Sequence, residues 1–196
     1  MDPQEIDSAL VRRNAIANLV QQGALDERVV AQLIRQGVAI GDEAVLWDFK
    51  RQLPVPPAEK LNLTLSEKYD LEFSEIVKDS VAFYNTFGGY LLAGVDDTTR
   101  KLLGFDKQFD SADLNKRIQG ATGSNIETIY RLLTYQIEGN TFTFGLLFIP
   151  KRPEKIRPAQ FKKTAPKSET GKVAYNQYDI YFRQRDSCKP AVSSTP

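Results

Sequence analysis

The run Asp79-Ser80-Val81-Ala82-Phe83-Tyr84-Asn85-Thr86-Phe87-Gly88-Gly89-Tyr90-Leu91-Leu92-Ala93-Gly94-Val95-Asp96-Asp97 contains a helix end, a break, a buried strand and two carboxylates in succession. Ile76, Val77, Val81 and Tyr84 recur at three- and four-residue steps, the period of an amphipathic helix. Asn85 to Gly89 supplies the stop, because glycine tolerates the positive φ that ends a helix. Tyr90 to Val95 is short, apolar and bounded by glycine, as expected of a strand covered on both faces. Asp96 and Asp97 follow at its tip, where a rigid strand can present polar groups.

Upstream, Ala44 to Gln52 alternates as a strand, with Trp47, Phe49 and Arg51 on one face and Asp48 and Lys50 on the other. Glu43, five residues before Asp48, joins that face only from an entering turn or beyond a bulge. Leu53 to Lys60 reads as a proline-punctuated loop. Leu61, Leu63 and Leu65 alternate, which suggests a short extended approach to a helix opening at Ser74. Residues 4 to 22 and about 26 to 36 read as two amphipathic helices stopped by Gly23 and Gly37, the second capped by Asp26. Two readings stand for this pair: a hairpin packed on its own domain, or a docking element.

Downstream, Ser111 to Ile118 predicts a short helix, and Ser124 to Tyr130 a weaker one. Leu132 to Ile137 and Thr141 to Ile149 form a hairpin around Glu138-Gly139-Asn140. Residues 151 to 174 are a long loop with a short strand at Ala159 to Lys163. Tyr178 to Arg183 is the last strand. Strands joined mostly by hairpins, with flanking helices, make the chain α+β with a mixed or antiparallel sheet. The expected organisation is a helical extension over 1–38, a domain over 39–192 and a tail over 193–196.

Charge is nearly balanced, 26 Lys and Arg against 25 Asp and Glu, so total charge alone does not attract nucleic acid. The single cysteine, Cys188, excludes an internal disulfide and a multi-cysteine zinc site, and it suits a reducing cytoplasm. No apolar run approaches membrane-spanning length. The absence of histidine removes Ser-His-Asp and Cys-His catalysis and histidine-ligated zinc. Any catalysis must use carboxylates, lysine, tyrosine or a carboxylate-held metal. A second pattern is basic: Lys151, Arg152, Lys162, Lys163, Arg183 and Arg185 fall in the C-terminal part, interleaved with Tyr175, Tyr178, Tyr181 and Phe182. Clustered cations suit phosphate contacts and aromatics suit stacking on unpaired bases; a solvated loop is the plainer alternative.

Three blocks, in order, resemble the Schlafen core domain and its prokaryotic Alba-like relatives. They are Ala82 to Asp97, Glu43-Ala44-Val45-Leu46-Trp47-Asp48-Phe49-Lys50, and Asp179-Ile180-Tyr181-Phe182-Arg183 through Asp186-Ser187 and Ala191. The resemblance spans roughly residues 40 to 192. In nuclease-type relatives it implies a three-carboxylate centre, carried over by position onto Glu43, Asp48 and Asp97, with Asp48 standing where glutamate is usual. Hard oxygen ligands of that kind hold Mg2+ or Mn2+, which can activate water and neutralise phosphate charge. Lys50 would assist by stabilising transition-state charge. The implied function is a metal-dependent endoribonuclease acting on structured RNA such as tRNA, with DNA as the other substrate class. The rival is a non-catalytic DNA- or RNA-binding module of a regulatory or defence assembly. Vertebrate Schlafen cores have two related lobes and this chain has sequence for one, so a homodimer joined through the N-terminal helices is expected.

Overall fold

The computed structural model describes residues 3–41, 45–56, 63–184 and 187–191. The chain opens with α1 (Pro3–Gln22) and α2 (Glu27–Leu33), then a small hairpin of β1 (Ile34–Arg35) and β2 (Val38–Ala39). β3 (Trp47–Lys50), α3 (Leu63–Asn85) and β4 (Gly89–Ala93) form a parallel strand–helix–strand unit. α4 (Ser111–Thr122), β5 (Ile129–Ile137) and β6 (Asn140–Ile149) follow, and β7 (Tyr181–Gln184) pairs with β8 (Ser187–Pro190) in a last hairpin. The main sheet has the order β3-β4-β6-β5. Only β3 and β4 run parallel, so the sheet is mixed and the fold is α+β. No helix among the described residues is long and apolar enough to cross a membrane.

Strand alternation sorts side chains into two cores. Trp47, Phe49, Tyr90 and Leu92 pack with Ile16, Val29 and Leu33 of the first two helices. Leu91, Ala93, Leu147 and Ile149 pack with α3, α4 and the C-terminal segment. The Tyr90 hydroxyl donates to Ala24 O at 2.9 Å, tying the helical pair to the sheet. The buried stripe of α1 and α2 is thus packed on the chain's own sheet, while Leu10 and Val11 remain exposed.

Gly88 and Gly89 are required by close approach as well as by φ. A Cβ on Gly89 would lie 2.4 Å from Leu46 O and 2.6 Å from the Phe83 ring. At Gly88, with φ 71°, it would lie 2.6 Å from Lys151 N. Next to them, the Asn85 amide donates to Ala159 O at 2.9 Å and Tyr181 O at 3.1 Å, and its oxygen accepts from Ala159 N at 2.7 Å. Thr86 Oγ1 accepts from Arg183 N at 2.9 Å. The end of α3 therefore holds the C-terminal segment in place.

Several local expectations are corrected. α3 begins at Leu63, well before Ser74, because Leu65, Tyr69 and Phe73 recur at four-residue steps that outweigh the leucine alternation. The second helix stops at Leu33, and Gln36 and Gly37, with φ of 49° and 71°, turn the chain into the β1–β2 hairpin. Ser124–Tyr130 is not helical: Thr128 N and Oγ1 donate to Asn115 Oδ1 at 2.9 and 2.7 Å, drawing the segment onto α4 before β5. Around Phe161, backbone bonds to Tyr178 and Asp179 replace the expected strand at 159–163.

Candidate functional site

β3 directs Asp48 and Lys50 toward α3, as alternation requires. Asp48 is buried, and its Oδ2 lies 3.0 Å from Lys50 Nζ and 3.5 Å from Arg183 Nη1. Lys50 Nζ also reaches Asp79 Oδ2 on α3 at 2.8 Å. Asp79 Oδ1 accepts from the Cys188 thiol at 3.2 Å. Arg183 is 4% exposed; its Nη2 donates to Trp47 O at 3.3 Å and its guanidinium lies 4.6 Å from the centre of the Phe83 ring. Two carboxylates and two cations thus form a locally neutral cluster between β3, α3 and β7, the arrangement that makes buried charge tolerable.

The proton affinities follow from that packing. Burial works to lower the pKa of Lys50, but Asp79 and Asp48 outweigh it and hold the ammonium above its usual range. Burial works to raise that of Asp79, but Lys50 and Lys78 outweigh it and keep the carboxylate ionised. For Arg183 desolvation is likewise overcome, chiefly by Asp48. Burial, with the Asp79 carboxylate beside it, pushes the Cys188 thiol up to about 12.

The remaining predicted residues lie apart from this cluster or outside the described residues. Asp97 is exposed in the turn after β4. Its neighbour Asp96 accepts from Thr99 N at 2.7 Å and Thr98 N at 3.2 Å and meets Arg51 at 3.3 Å, so it closes that turn. Glu43 and Arg185 lie outside the described residues. A divalent cation needs oxygens whose charge is still available, and Asp48 already faces two protein cations. Among the described residues no group of three acidic or cysteine side chains is placed to hold a metal ion.

Of the basic residues, Arg183 is the clear correction. It is a core residue, its guanidinium already engaged by Asp48, Trp47 and Phe83. Lys151, Lys162 and Lys163 are exposed, and Arg152 turns onto the carbonyl of Ile156 in its own loop. Lys163 joins Lys116 and Arg117 of α4 along a groove of about 610 Å³ between α3, α4 and the C-terminal segment. Arg117 is held by Asp70 at 2.8 Å and Asp113 at 2.9 Å, whereas Lys116, Lys162 and Lys163 have no ion-pair partner among the described residues. Of the interleaved aromatics, Tyr175 stacks on Phe161 at 3.8 Å and Tyr181 is buried. Tyr178, 69% exposed, offers a free face.

Sequence reasoning missed Asp79 and Lys116. Asp79 carried a usable signal: it sits three residues after Ile76 and four before Phe83, on the buried stripe of α3, where a carboxylate demands a cation. Lys116 carried none, since its role depends on where α4 meets the C-terminal loop.

A family model described as Schlafen, AlbA_2 matches residues 43–192. No curated protein matches the chain. Among solved structures, the DIP2311 protein from Corynebacterium diphtheriae is similar at 13% identity with a TM-score of 0.42. That match covers 92% of this chain and 31% of the other.

Proposed function

The chain belongs to the Schlafen, AlbA_2 family, a family assigned to nucleic-acid binding, and from that premise we propose that it binds nucleic acid by its phosphate backbone, through the loop after β6 and the adjoining face of α4. The carrying observation is charge segregation. Residues 151–172 hold eight Lys and Arg (151, 152, 155, 157, 162, 163, 167, 172) and two Glu (154, 169), a net +6 in a chain of net +1, so the remainder carries −5. All of these cations but Arg152 are exposed, and Lys163 and Lys116 stand on one groove. Point-like ammonium groups on flexible stems suit phosphates and carry no base code. Structured RNA such as tRNA is the proposed ligand class, with DNA as the competitor. Fluorescence anisotropy with labelled RNA hairpin, single strand and duplex DNA tests this across a salt series. Lys162→Glu with Lys163→Glu should weaken binding on every sequence and reduce the salt slope by about two. A reversal variant that binds like the wild type overturns the reading.

Metal-dependent cleavage of the bound strand is the finer reading, with Glu43, Asp48 and Asp97 as its acids, Lys50 assisting and Mg2+ or Mn2+ as cofactor. One observation favours it. Lys50 and the Asp96-Asp97 turn stand at the same carboxyl end of the parallel pair β3 and β4, and the Lys50 side chain keeps 29% exposure there. Incubation of labelled RNA with Mn2+ and with EDTA decides it. Cleavage that requires Mn2+ and disappears in Asp97→Ala supports the nuclease, and intact RNA in both arms leaves a binding module.

A further inference from the structure

β5 is an edge strand of nine residues, Ile129-Tyr130-Arg131-Leu132-Leu133-Thr134-Tyr135-Gln136-Ile137, bonded to β6 on one side. It carries few of the devices that blunt an edge: no proline, glycine or lysine, a single charge at Arg131, and an uninterrupted register along its length. The two-residue turn Glu138-Gly139 makes Ile137 and Asn140 a hydrogen-bonded pair. Alternation then turns the backbone groups of Tyr130, Leu132, Thr134 and Gln136 away from β6. A separate contact fixes the same parity. Thr143, opposite Thr134, gives its carbonyl to Phe105 N at 2.6 Å, away from β5, so Thr134 must face the other way. Among the described residues, none of these four outward N–H and C=O pairs has a backbone partner.

We propose that this edge pairs with β5 of a second copy of the chain, antiparallel about a two-fold axis at Leu133. That register sets Tyr130 against Gln136 and Leu132 against Thr134 as hydrogen-bonded pairs, the four outward residues that need partners. Leu133 then meets its own copy in a non-hydrogen-bonded pair, and Ile129 meets Ile137. The only charge in the strand, Arg131, faces Tyr135 of the second copy, so no like charges oppose each other. Centring the axis on Thr134 sets the acidic turn residue Glu138 against Tyr130, and centring it on Leu132 leaves Gln136 and Ile137 without partners. The strand is thus self-complementary in one register. The product is a sheet of twice the four strands, joined by about eight inter-chain hydrogen bonds. Ile129, 51% exposed in the single chain, becomes covered.

The interface is independent of nucleic-acid binding, so sedimentation equilibrium of the full chain without nucleic acid tests it. The wild type is expected at twice the monomer mass at tens of micromolar. Thr134→Pro removes an outward N–H that β6 does not use, and should weaken the dimer on the order of a hundredfold while circular dichroism stays unchanged. Should proline disturb the fold, Thr134→Lys at the same exposed position is expected to give monomer with the wild-type spectrum. Under mild oxidation, Leu133→Cys should cross-link and Gln136→Cys should not, since the two-fold places residue 136 far from its copy. A monomeric wild type overturns the proposal. So does a dimer that survives a folded Thr134 variant, or cross-linking at 136 without cross-linking at 133.

Discussion

Lys50 Nζ stands between two carboxylates, 2.8 Å from Asp79 Oδ2 on α3 and 3.0 Å from Asp48 Oδ2 on its own strand. One ammonium therefore ties the crossover helix to the strand that precedes it. The contact places a family-motif lysine in the neutral interior cluster as well as at the rim where β3 and β4 end.

Removing one member of this cluster should cost more than any single pair in it contributes. Asp79→Ala leaves Lys50 with one anion instead of two and is expected to lower stability on the order of 3 kcal/mol in urea unfolding. Lys50→Met alone and combined with Asp79→Ala completes a cycle. A coupling energy near zero would show that the two side chains do not interact.

Stability should hold a plateau and fall at both ends of the pH range. The lowered pKa of Asp79 contributes stability that is present above its ordinary value of 3.8 and is lost as pH falls through its folded value. The raised pKa of Cys188 contributes in the opposite sense: it is fully present below the ordinary thiol value of 9.0 and lost as pH rises toward about 12. Alkylation at pH 8 provides a second readout. Burial keeps the thiolate far scarcer than in an unperturbed cysteine, so iodoacetamide should label Cys188 much more slowly until the protein unfolds.

Arg183 and Lys162 should separate stability from binding. Arg183→Ala removes a buried guanidinium from Asp48 and Phe83 and is expected to lower stability by about 3 kcal/mol. Arg183→Lys should recover little, because an ammonium cannot reach Asp48, Trp47 O and the ring together. Lys162→Glu should leave the stability from urea unfolding within about 0.5 kcal/mol of wild type. Parallel urea titrations and anisotropy measurements on the three variants check this division.

Gly89→Ala should be among the most damaging single methyl additions in the chain. The new Cβ would press on Leu46 O at 2.4 Å, a backbone atom of the neighbouring segment that cannot swing aside. The expected loss is on the order of 3 kcal/mol or more, read from the thermal midpoint. Gly139→Ala, with nothing within 4 Å, serves as the contrast: only its φ of 81° opposes the change.

The parts legible in the sequence were those governed by local periodicity. The diglycine break, the buried strand after it, the alternation of Asp48 and Lys50 and the 132–149 hairpin all follow from neighbours within a few residues. What was not legible depends on distant partners. Alternation groups Tyr181 with Arg183 but gives no sign of which pair faces the core, and only Asp48 and Phe83 explain why a guanidinium is buried. The start of α3 was obscured because three leucines at two-residue spacing overlap the four-residue series of Leu65, Tyr69 and Phe73.

The wide sequence separation of the Asn85 and Arg183 contacts bears on how the chain is made. Asn85 finds its carbonyl and amide partners 74 and 96 residues later, and Trp47 O receives the Arg183 guanidinium 136 residues later. On the ribosome, β3, α3 and β4 emerge long before β7, so a nascent chain must hold Asp48 and Asn85 without their late partners. Completion of the interior waits for β7 to leave the exit tunnel. A messenger truncated ahead of residue 181 would yield a product with an exposed apolar face on α3, fit for degradation rather than a smaller working domain.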